Sequence, residues 1–190
     1  MSNESSIVHS SFSIERTYST SPARVFSAFA DQATKRRWLV EGEGWEIEEY
    51  AMDFRVGGLE YARFRYRGGP EIRNDTIYQD IVPDERIVFA YSMTVGEQRI
   101  SASLATVEPI SARDGTRLTY TEQGAFFDGA DQPRDREEGC RALLEKLDEE
   151  LRDPAPGRAA TLESGRPVVA RMAPQDGRGR RIHPAERQGN

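Results

Sequence analysis

The sequence contains few of the residues on which several common kinds of functional site depend. Of its 190 residues one is a cysteine, Cys140, and two are histidines, His9 and His183. A single cysteine excludes an internal disulfide bond and a cysteine-based zinc site. Two histidines near opposite ends of the chain argue against a histidine metal centre and a Ser-His-Asp triad. The sequence therefore predicts neither a metal ion nor another cofactor.

Long hydrophobic segments are also missing. No apolar run approaches the roughly 20 residues that a membrane helix needs, and the first ten residues lack the basic-then-apolar pattern of a signal peptide. The formal net charge of −6 argues against non-specific binding of nucleic acid. These absences predict a cytoplasmic protein with no membrane span and no nucleic-acid partner.

The distribution of charge and proline divides the chain into three regions. Residues 1–10 are polar and predict a flexible N-terminus, and residues 11–152 predict one domain. Residues 153–190 contain seven arginines and four acidic residues, so this tail carries +3 and the remainder of the chain −9. Pro154 and Pro156 prevent a helix from continuing into the tail. We expect the Arg/Pro/Gly-rich tail to be disordered or loosely docked on the domain.

The domain region predicts one strand, two short helices, six further strands and a long helix. Ser21 and Asp31 are each suited to cap a helix N-terminus, and Pro22 fits a first helical turn. Tight turns between most strands indicate antiparallel neighbours. The predicted strands are Ser11–Tyr18, Trp45–Phe54, Leu59–Tyr66, Ile72–Val82, Arg86–Met93, Arg99–Val107 and Thr116–Gln123.

The long helix, Pro133 to Leu151, is the strongest periodic signal. Its apolar residues recur at three- and four-residue steps and so form one stripe; they are Cys140, Leu143, Leu144, Leu147 and Leu151. Such a stripe must be buried, and here only a sheet is available to cover it. The prediction is an α+β fold in which a curved antiparallel sheet of about six to seven strands wraps around the C-terminal helix. The two short helices follow strand 1 and close one end.

Seven short motifs, in order along the chain, resemble one family. They are Ile14-x-Arg16-x-Tyr18 with Ser21-Pro22-x-x-Val25-Phe26; Lys35-x-x-Trp38; Asp53 to Gly58; Ile81 to Val88; Thr106 to Glu108; Gly115-Thr116-x-Leu118-Thr119; and Thr121 to Gly124. The order of elements is similar to the START-like (SRPBCC, helix-grip) superfamily. The motifs are closer to its branch related to the activator of the heat-shock-protein-90 ATPase.

The resemblance implies a domain that binds a small hydrophobic or lipid-like ligand between the sheet and the final helix. It also implies two alternatives, because some relatives are cyclases or hydrolases and others bind a chaperone. The chain departs from the family pattern at Leu39, where many relatives have a second tryptophan after Trp38. It departs again at Cys140, where many have tryptophan after Gly139. The smaller side chain predicts either a larger cavity at this point or a neighbour that fills the space.

We expect the cavity to be lined by aromatic residues with a few polar anchors. The candidates are Arg16, Trp38, Trp45, Phe64, Tyr66, Tyr78, Phe89, Tyr91, Tyr120, Glu122, Cys140, Leu143 and Leu144. Ordinary core packing is the alternative for each aromatic residue, and for Cys140 it is the favoured prediction. For Arg16 the alternative is a side chain that reaches water at the strand end.

Glu122 is the one candidate catalytic residue, since it shares a strand face with Leu118 and Tyr120. A carboxylate in a cavity can act as a general acid or base, with Arg16 and a tyrosine beside it. It could equally form a structural ion pair with Arg16.

Three hypotheses therefore stand: non-catalytic binding of a small hydrophobic ligand, an enzyme of the cyclase or hydrolase kind, and a cochaperone-like interaction protein. Both a monomer and a homodimer are compatible with the sequence.

The basic run Lys35-Arg36-Arg37 is interpreted as a solvated helix face.

Overall fold

The computed structural model describes residues 6–152. The elements in chain order are β1 (Ile7–Tyr18), α1 (Pro22–Ala30), α2 (Gln32–Leu39), β2 (Trp45–Met52), β3 (Leu59–Tyr66), β4 (Ile72–Val82), β5 (Arg86–Val95), β6 (Gln98–Ala112), β7 (Gly115–Phe127) and α3 (Pro133–Arg152). The predicted tail, residues 153–190, lies outside the described residues. No helix within residues 6–152 is long and apolar enough to cross a membrane.

The strands form one antiparallel sheet of seven, in the order β1-β7-β6-β5-β4-β3-β2. Every strand from β2 to β7 pairs with its neighbour in the chain, and β1 closes the order by pairing with β7. Irregularities interrupt the register in β2, β4 and β5–β6, and such bulges bend a sheet. The predicted α+β class and curved antiparallel sheet are confirmed.

Two predicted boundaries at the start and end of the sheet are wrong. β1 begins at Ile7, so residues 7–10 of the predicted flexible N-terminus form a strand. They pair with β7 as far as Phe127, and the Ser6 N–H donates to Asp128 Oδ1 at 2.9 Å. β7 in turn extends beyond its predicted end at Gln123 to Phe127, because β1 and β6 hydrogen-bond to it on both sides.

Both short helices begin where the sequence predicts. Ser21 Oγ accepts a hydrogen bond from the Arg24 N–H, and Asp31 Oδ1 accepts one from the Thr34 N–H. Each cap satisfies an amide that the first helical turn leaves free. α1 then buries Val25 and Phe29.

Helix α3 lies against the concave side of the sheet. Leu144 and Leu147 are buried in one cluster with Ile14 and Tyr18 of β1. The Tyr18 hydroxyl donates to the Leu144 carbonyl oxygen at 3.0 Å, which ties the helix to the first strand. The apolar stripe of the helix is therefore buried against the sheet, as its periodicity predicts.

Candidate functional site

A cavity of about 120 Å³ lies between the inner face of the sheet and helices α2 and α3. Cavities of about 150 Å³ are large enough to hold benzene. The wall is formed by Phe29, Lys35, Trp38, Leu39, Val40, Glu60, Ala62, Phe64, Asn74, Thr76, Phe89, Tyr91, Met93, Tyr120, Arg136, Gly139, Cys140, Leu143 and Leu144. At about 120 Å³ the space is slightly smaller than such a cavity, so it corresponds to about one small organic ring.

The cavity wall is mostly apolar, with polar groups at a few positions. Trp38 and Leu143 are among the apolar side chains of the helices, which also contribute Lys35 and Arg136. The sheet contributes a polar row, which we define as Glu60, Thr76 and Tyr91, because these residues are direct cross-strand neighbours on β3, β4 and β5. A guest would therefore meet apolar groups on both sides and hydrogen-bonding groups at a few fixed positions.

A buried ion pair lies at one end of the polar row. Lys35 Nζ and Glu60 Oε2 are 2.6 Å apart, and their side chains are 6% and 5% exposed. Lys35 Nζ also donates to the Tyr78 hydroxyl oxygen at 3.1 Å. Tyr78 and Tyr50 donate to the two carboxylate oxygens of Glu60, one each. These extra hydrogen bonds offset part of the cost of removing both charges from water.

The environment keeps both of these tyrosines protonated. Burial, and after it the nearby Glu60 carboxylate, raises the pKa of Tyr50 and of Tyr78 well above its ordinary value. Both hydroxyls are therefore donors at neutral pH, as the hydrogen bonds to Glu60 require.

The position of Lys35 corrects the interpretation of the basic run as a solvated face. Arg36 is exposed, and Arg37 is paired with Glu150 of α3 at 2.5 Å, but Lys35 is buried. Residues three apart share a helix face, so Lys35 points to the same side as Trp38. That spacing was the available signal in the sequence.

A second buried ion cluster lies on the other side of the cavity, around Arg136 of α3. Its Nη1 is 3.3 Å from Glu122 Oε1, and its Nη2 is paired with Asp131. Nη2 also donates to Ser101 Oγ at 2.6 Å, and Nη1 to the Tyr91 hydroxyl oxygen at 2.8 Å. One arginine thus joins α3 to β5, β6 and β7.

Glu122 is completely buried and saturated with donors. Tyr91 donates to its Oε1 and Tyr120 to its Oε2, each at 2.7 Å. Cys140 Sγ lies 3.5 Å from Oε2. Burial raises the pKa of Tyr91 and of Tyr120 well above the ordinary value, so both remain donors. A carboxylate held in this way braces the cavity wall from behind.

Cys140 is both a core residue and part of the cavity wall. Its side chain is buried in the main core cluster and also faces the cavity. Burial, followed by the Glu122 carboxylate, raises the pKa of the thiol well above its ordinary value. The predicted packed cysteine is confirmed, and its sulfur atom bounds the cavity at this point.

The predicted site residues fall into three groups. Eight line the cavity: Trp38, Phe64, Phe89, Tyr91, Tyr120, Cys140, Leu143 and Leu144. Two, Tyr78 and Glu122, lie behind the wall and hydrogen-bond to residues that form it. The remaining three, Arg16, Trp45 and Tyr66, lie outside the wall.

The placement of Arg16 in the cavity is wrong, and so is its proposed pairing with Glu122. Arg16 does lie on the inner face of β1, but it reaches Glu145 of α3 at 2.6 Å, with side chains 33% and 65% exposed. The alternative of a side chain that extends toward water describes it better. Arg136 occupies the position beside Glu122 instead.

Trp45 and Tyr66 form a separate aromatic contact. They are cross-strand partners on β2 and β3 with ring centroids 4.9 Å apart. Trp45 also packs on Phe64 at 5.4 Å, within a second core cluster that includes Ile72 and Ile100. Trp45 therefore supports the wall residue Phe64 from outside the cavity, and Tyr66 packs against Trp45.

Sequence reasoning missed the polar half of the wall. Lys35, Glu60, Asn74, Thr76 and Arg136 were not candidates, although each faces the cavity. Arg136 precedes Cys140 by four residues and so extends the stripe that the helix buries. Within residues 6–152, no group of three or more His, Cys, Asp or Glu side chains is arranged to hold a metal ion.

A curved antiparallel sheet that holds a long C-terminal helix, with a cavity between them, defines the helix-grip fold of the START-like (SRPBCC) superfamily. Within it, the family model for the Activator of Hsp90 ATPase homolog 1-like protein matches residues 19–152. The chain therefore belongs to this family, as its motifs indicate.

Solved structures agree with this assignment. The chain is similar to the Mll3558 protein from Rhizobium loti, with 63% identity and a TM-score of 0.72 over 76% of this chain and 99% of that one. It is also similar to a protein from Rhizobium leguminosarum, with 38% identity and a TM-score of 0.75 over 78% and 97%.

A more distant structure shares the fold alone. The AHSA1-like protein from Aeromonas hydrophila is 18% identical, with a TM-score of 0.57 over 75% of this chain and 92% of that one. A comparison with curated proteins gave no significant match.

Proposed function

We propose that the protein binds a small, mainly apolar molecule in the cavity between the sheet and α3, without catalysis. The observation that carries this proposal is the cavity itself, about 120 Å³ of space inside a well-packed domain. Protein interiors are close-packed and rarely leave voids of this size. An apolar lining with a few polar groups is the usual composition of a small-molecule site.

The volume and the packing around it limit the size of the guest. About 150 Å³ is enough for benzene, so the cavity in this conformation takes a molecule of about one ring. Trp38 is fixed because its Nε1–H donates to the Ala28 carbonyl oxygen at 3.0 Å and its ring packs on Phe29. A wall held in this way favours a compact guest over a long acyl chain.

The enzyme hypothesis is weakened by the geometry. It requires Glu122 and Arg16 in one cavity, and Arg16 lies outside the wall. Glu122 accepts hydrogen bonds from Tyr91 and Tyr120 and is paired with Arg136, which leaves little capacity to accept a proton from a substrate. The cochaperone hypothesis, the cytoplasmic location and the oligomeric state stay predictions from the sequence.

Native mass spectrometry of the freshly purified full-length protein tests the proposal. We expect a fraction of molecules to carry an additional small mass, or to acquire one on incubation with ethylbenzene. The matched control is Cys140→Trp, in which an indole enters the cavity from α3 and should abolish both signals. A folded wild-type protein that neither carries a small molecule nor takes up ethylbenzene would contradict the proposal.

A further inference from the structure

We infer that the guest is a neutral molecule with a hydrogen-bond acceptor of the carbonyl class, and that Lys35 and Asn74 donate to that acceptor. This inference rests on the proposed function, because it names the chemical class of the molecule that the cavity holds. Residues 6–152 already use some of the hydrogen-bonding positions on the wall and leave others without a partner.

Lys35 has one more donor than the acceptors within residues 6–152 satisfy. An ammonium group has three N–H bonds, and Lys35 has acceptors for two, at Glu60 Oε2 and the Tyr78 hydroxyl oxygen. The side chain is only 6% exposed and lies on the cavity wall. The rings of Tyr78 and Phe89 lie 5.4 and 5.6 Å from Nζ. A buried N–H without an acceptor is unfavourable, and an oxygen atom in the cavity would remove that cost.

Asn74 provides a second set of donors on the same wall. Thr76 Oγ1 donates to Asn74 Oδ1 at 2.8 Å, and this bond assigns the orientation of the amide group. The side-chain NH₂ of Asn74 has no acceptor among residues 6–152. Asn74 is adjacent to the polar row, since Thr76 lies two residues along the same face of β4.

The carboxylate on the cavity wall, Glu60, is by contrast already paired. Both carboxylate oxygens of Glu60 receive hydrogen bonds, Oε1 from Tyr50 and Oε2 from Lys35 and Tyr78. Both oxygens of Glu122 are occupied in the same way, as described above. Asp131 Oδ1 has no partner, but Asp131 is not a wall residue. On the wall described within residues 6–152, a guest that can only donate would therefore find both carboxylate oxygens of Glu60 already paired, whereas a carbonyl oxygen would find free N–H groups.

The charge balance excludes an acidic guest. The two ion clusters contain two cations, Lys35 and Arg136, and three carboxylates, Glu60, Glu122 and Asp131. A carboxylate guest would add a fourth negative charge to a buried region that already has more negative than positive groups. Electrostatic repulsion in a poorly solvated site makes this costly. A neutral ketone, ester or amide provides the acceptor without the charge.

Calorimetric titration of the full-length protein with two probes of similar shape tests the inference. Ethylbenzene has no acceptor and acetophenone has one, and each is titrated into wild type, Asn74→Leu and Lys35→Met/Glu60→Gln. The double variant removes both charges of the pair and so avoids an isolated buried carboxylate. Arg16→Met is the matched control, because Arg16 is on the inner face of the sheet but outside the cavity wall.

The expected result is a change in selectivity. The ratio of acetophenone affinity to ethylbenzene affinity should fall about tenfold in Lys35→Met/Glu60→Gln, which corresponds to about 1.4 kcal/mol, and about fivefold in Asn74→Leu. Arg16→Met, outside the cavity wall, should leave both affinities and their ratio unchanged. Benzoate should not bind measurably at pH 7.

The outcomes separate this inference from the proposed function. One outcome is that wild type binds ethylbenzene while Asn74→Leu has the same ratio of acetophenone to ethylbenzene affinity as wild type. In that case the cavity holds apolar guests and the inference about the acceptor is wrong. Binding of benzoate or benzylamine as tightly as acetophenone would likewise overturn it. If neither ethylbenzene nor acetophenone binds, the proposed function fails and the inference fails with it.

Discussion

Arg136 of α3 and Glu122 of β7 form an ion pair that is almost completely shielded from water, with Nη1 and Oε1 3.3 Å apart and side chains 5% and 0% exposed. The pair fixes the N-terminal part of the helix to the sheet at the side of the cavity. The hydroxyl groups of Tyr91 and Tyr120 complete the hydrogen bonding of the carboxylate. This arrangement holds the cavity wall in place from behind.

Removing Arg136 should be strongly destabilising. Arg136→Met leaves Glu122 and Asp131 buried without their shared cation, and breaking a buried pair in this way typically costs about 3–5 kcal/mol. Urea denaturation measures the loss. The control is Arg134→Met on the same helix, where the arginine is 88% exposed and the expected change is below about 0.5 kcal/mol. Equal stability of the two variants would show that the buried cluster does not brace the fold.

The thiol of Cys140 should be inert in the folded protein. It is buried, and burial raises the pKa of the thiol well above its ordinary value, so the reactive thiolate is scarce at pH 8. We expect a chromogenic disulfide reagent to react at least about tenfold more slowly in buffer than in denaturing urea. Rapid labelling of the folded protein at pH 8 would mean that the cavity opens readily to solvent at this point.

Gly58 should be the least replaceable residue of the motif Asp53 to Gly58. A Cβ atom at this position would lie 2.0 Å from the Asp53 carbonyl oxygen, so Gly58→Ala requires the backbone to move. We expect a loss of more than about 2 kcal/mol in the free energy of unfolding.

The adjacent glycine provides the comparison. Gly57 has a positive φ of 76° but open space around it, so Gly57→Ala should cost only about 1 kcal/mol. Thermal and urea unfolding of the two variants measure the difference. A smaller loss of unfolding free energy in Gly58→Ala than in Gly57→Ala would contradict the close approach of Gly58 to Asp53.

Asp31 should contribute to stability in a pH-dependent way through α2, the helix that carries Lys35 and Trp38. Its hydrogen bonds with Thr34, from side chain and backbone, lower the pKa of the Asp31 carboxyl. The pKa of Asp31 in the folded protein lies below its value of about 3.9 in the unfolded chain. The contribution of Asp31 to stability is therefore fully present when the pH is above about 3.9. It is lost as the pH falls through the lower, folded pKa.

Asp31→Ala should therefore cost about 1 kcal/mol at pH 7, and the difference from wild type should shrink below about pH 4. Asp31→Asn keeps a capping oxygen and should retain most of the stability at pH 7. Urea denaturation at pH 7 and pH 3 provides the measurement. A cost for Asp31→Ala that is equal at both values would mean that ionisation of the carboxyl has no part in capping.

The fold was predictable because its signals are local. Alternation along each strand, the caps at Ser21 and Asp31, and the stripe from Cys140 to Leu151 each depend on neighbouring residues. The length of the β1–β7 pairing was harder to predict. Residues 7–10 and 125–127 carry no strong pattern of their own, and they become strand because each supplies hydrogen bonds to the other.

The sequence allowed most of the aromatic wall residues to be predicted, but not the charged ones. Aromatic residues on inward strand faces have few other places to lie, so Phe89, Tyr91 and Tyr120 were found. A buried charge, however, looks like a surface charge until its partner is known. Glu60 lies 25 residues from Lys35, and Arg136 lies 14 from Glu122. No local pattern specifies these pairs, which is also why Arg16 was taken for the partner of Glu122.

The cavity is the central claim, and a crystal of the full-length protein equilibrated with xenon gas tests it most directly. Xenon enters apolar spaces without needing a specific hydrogen bond, and most of the residues in this cavity wall are apolar. We expect a xenon atom between Phe89 of the sheet and Trp38 and Leu143 of the helices, and none in crystals of Cys140→Trp. An interior in which side chains fill this space, with no xenon bound there, would contradict it.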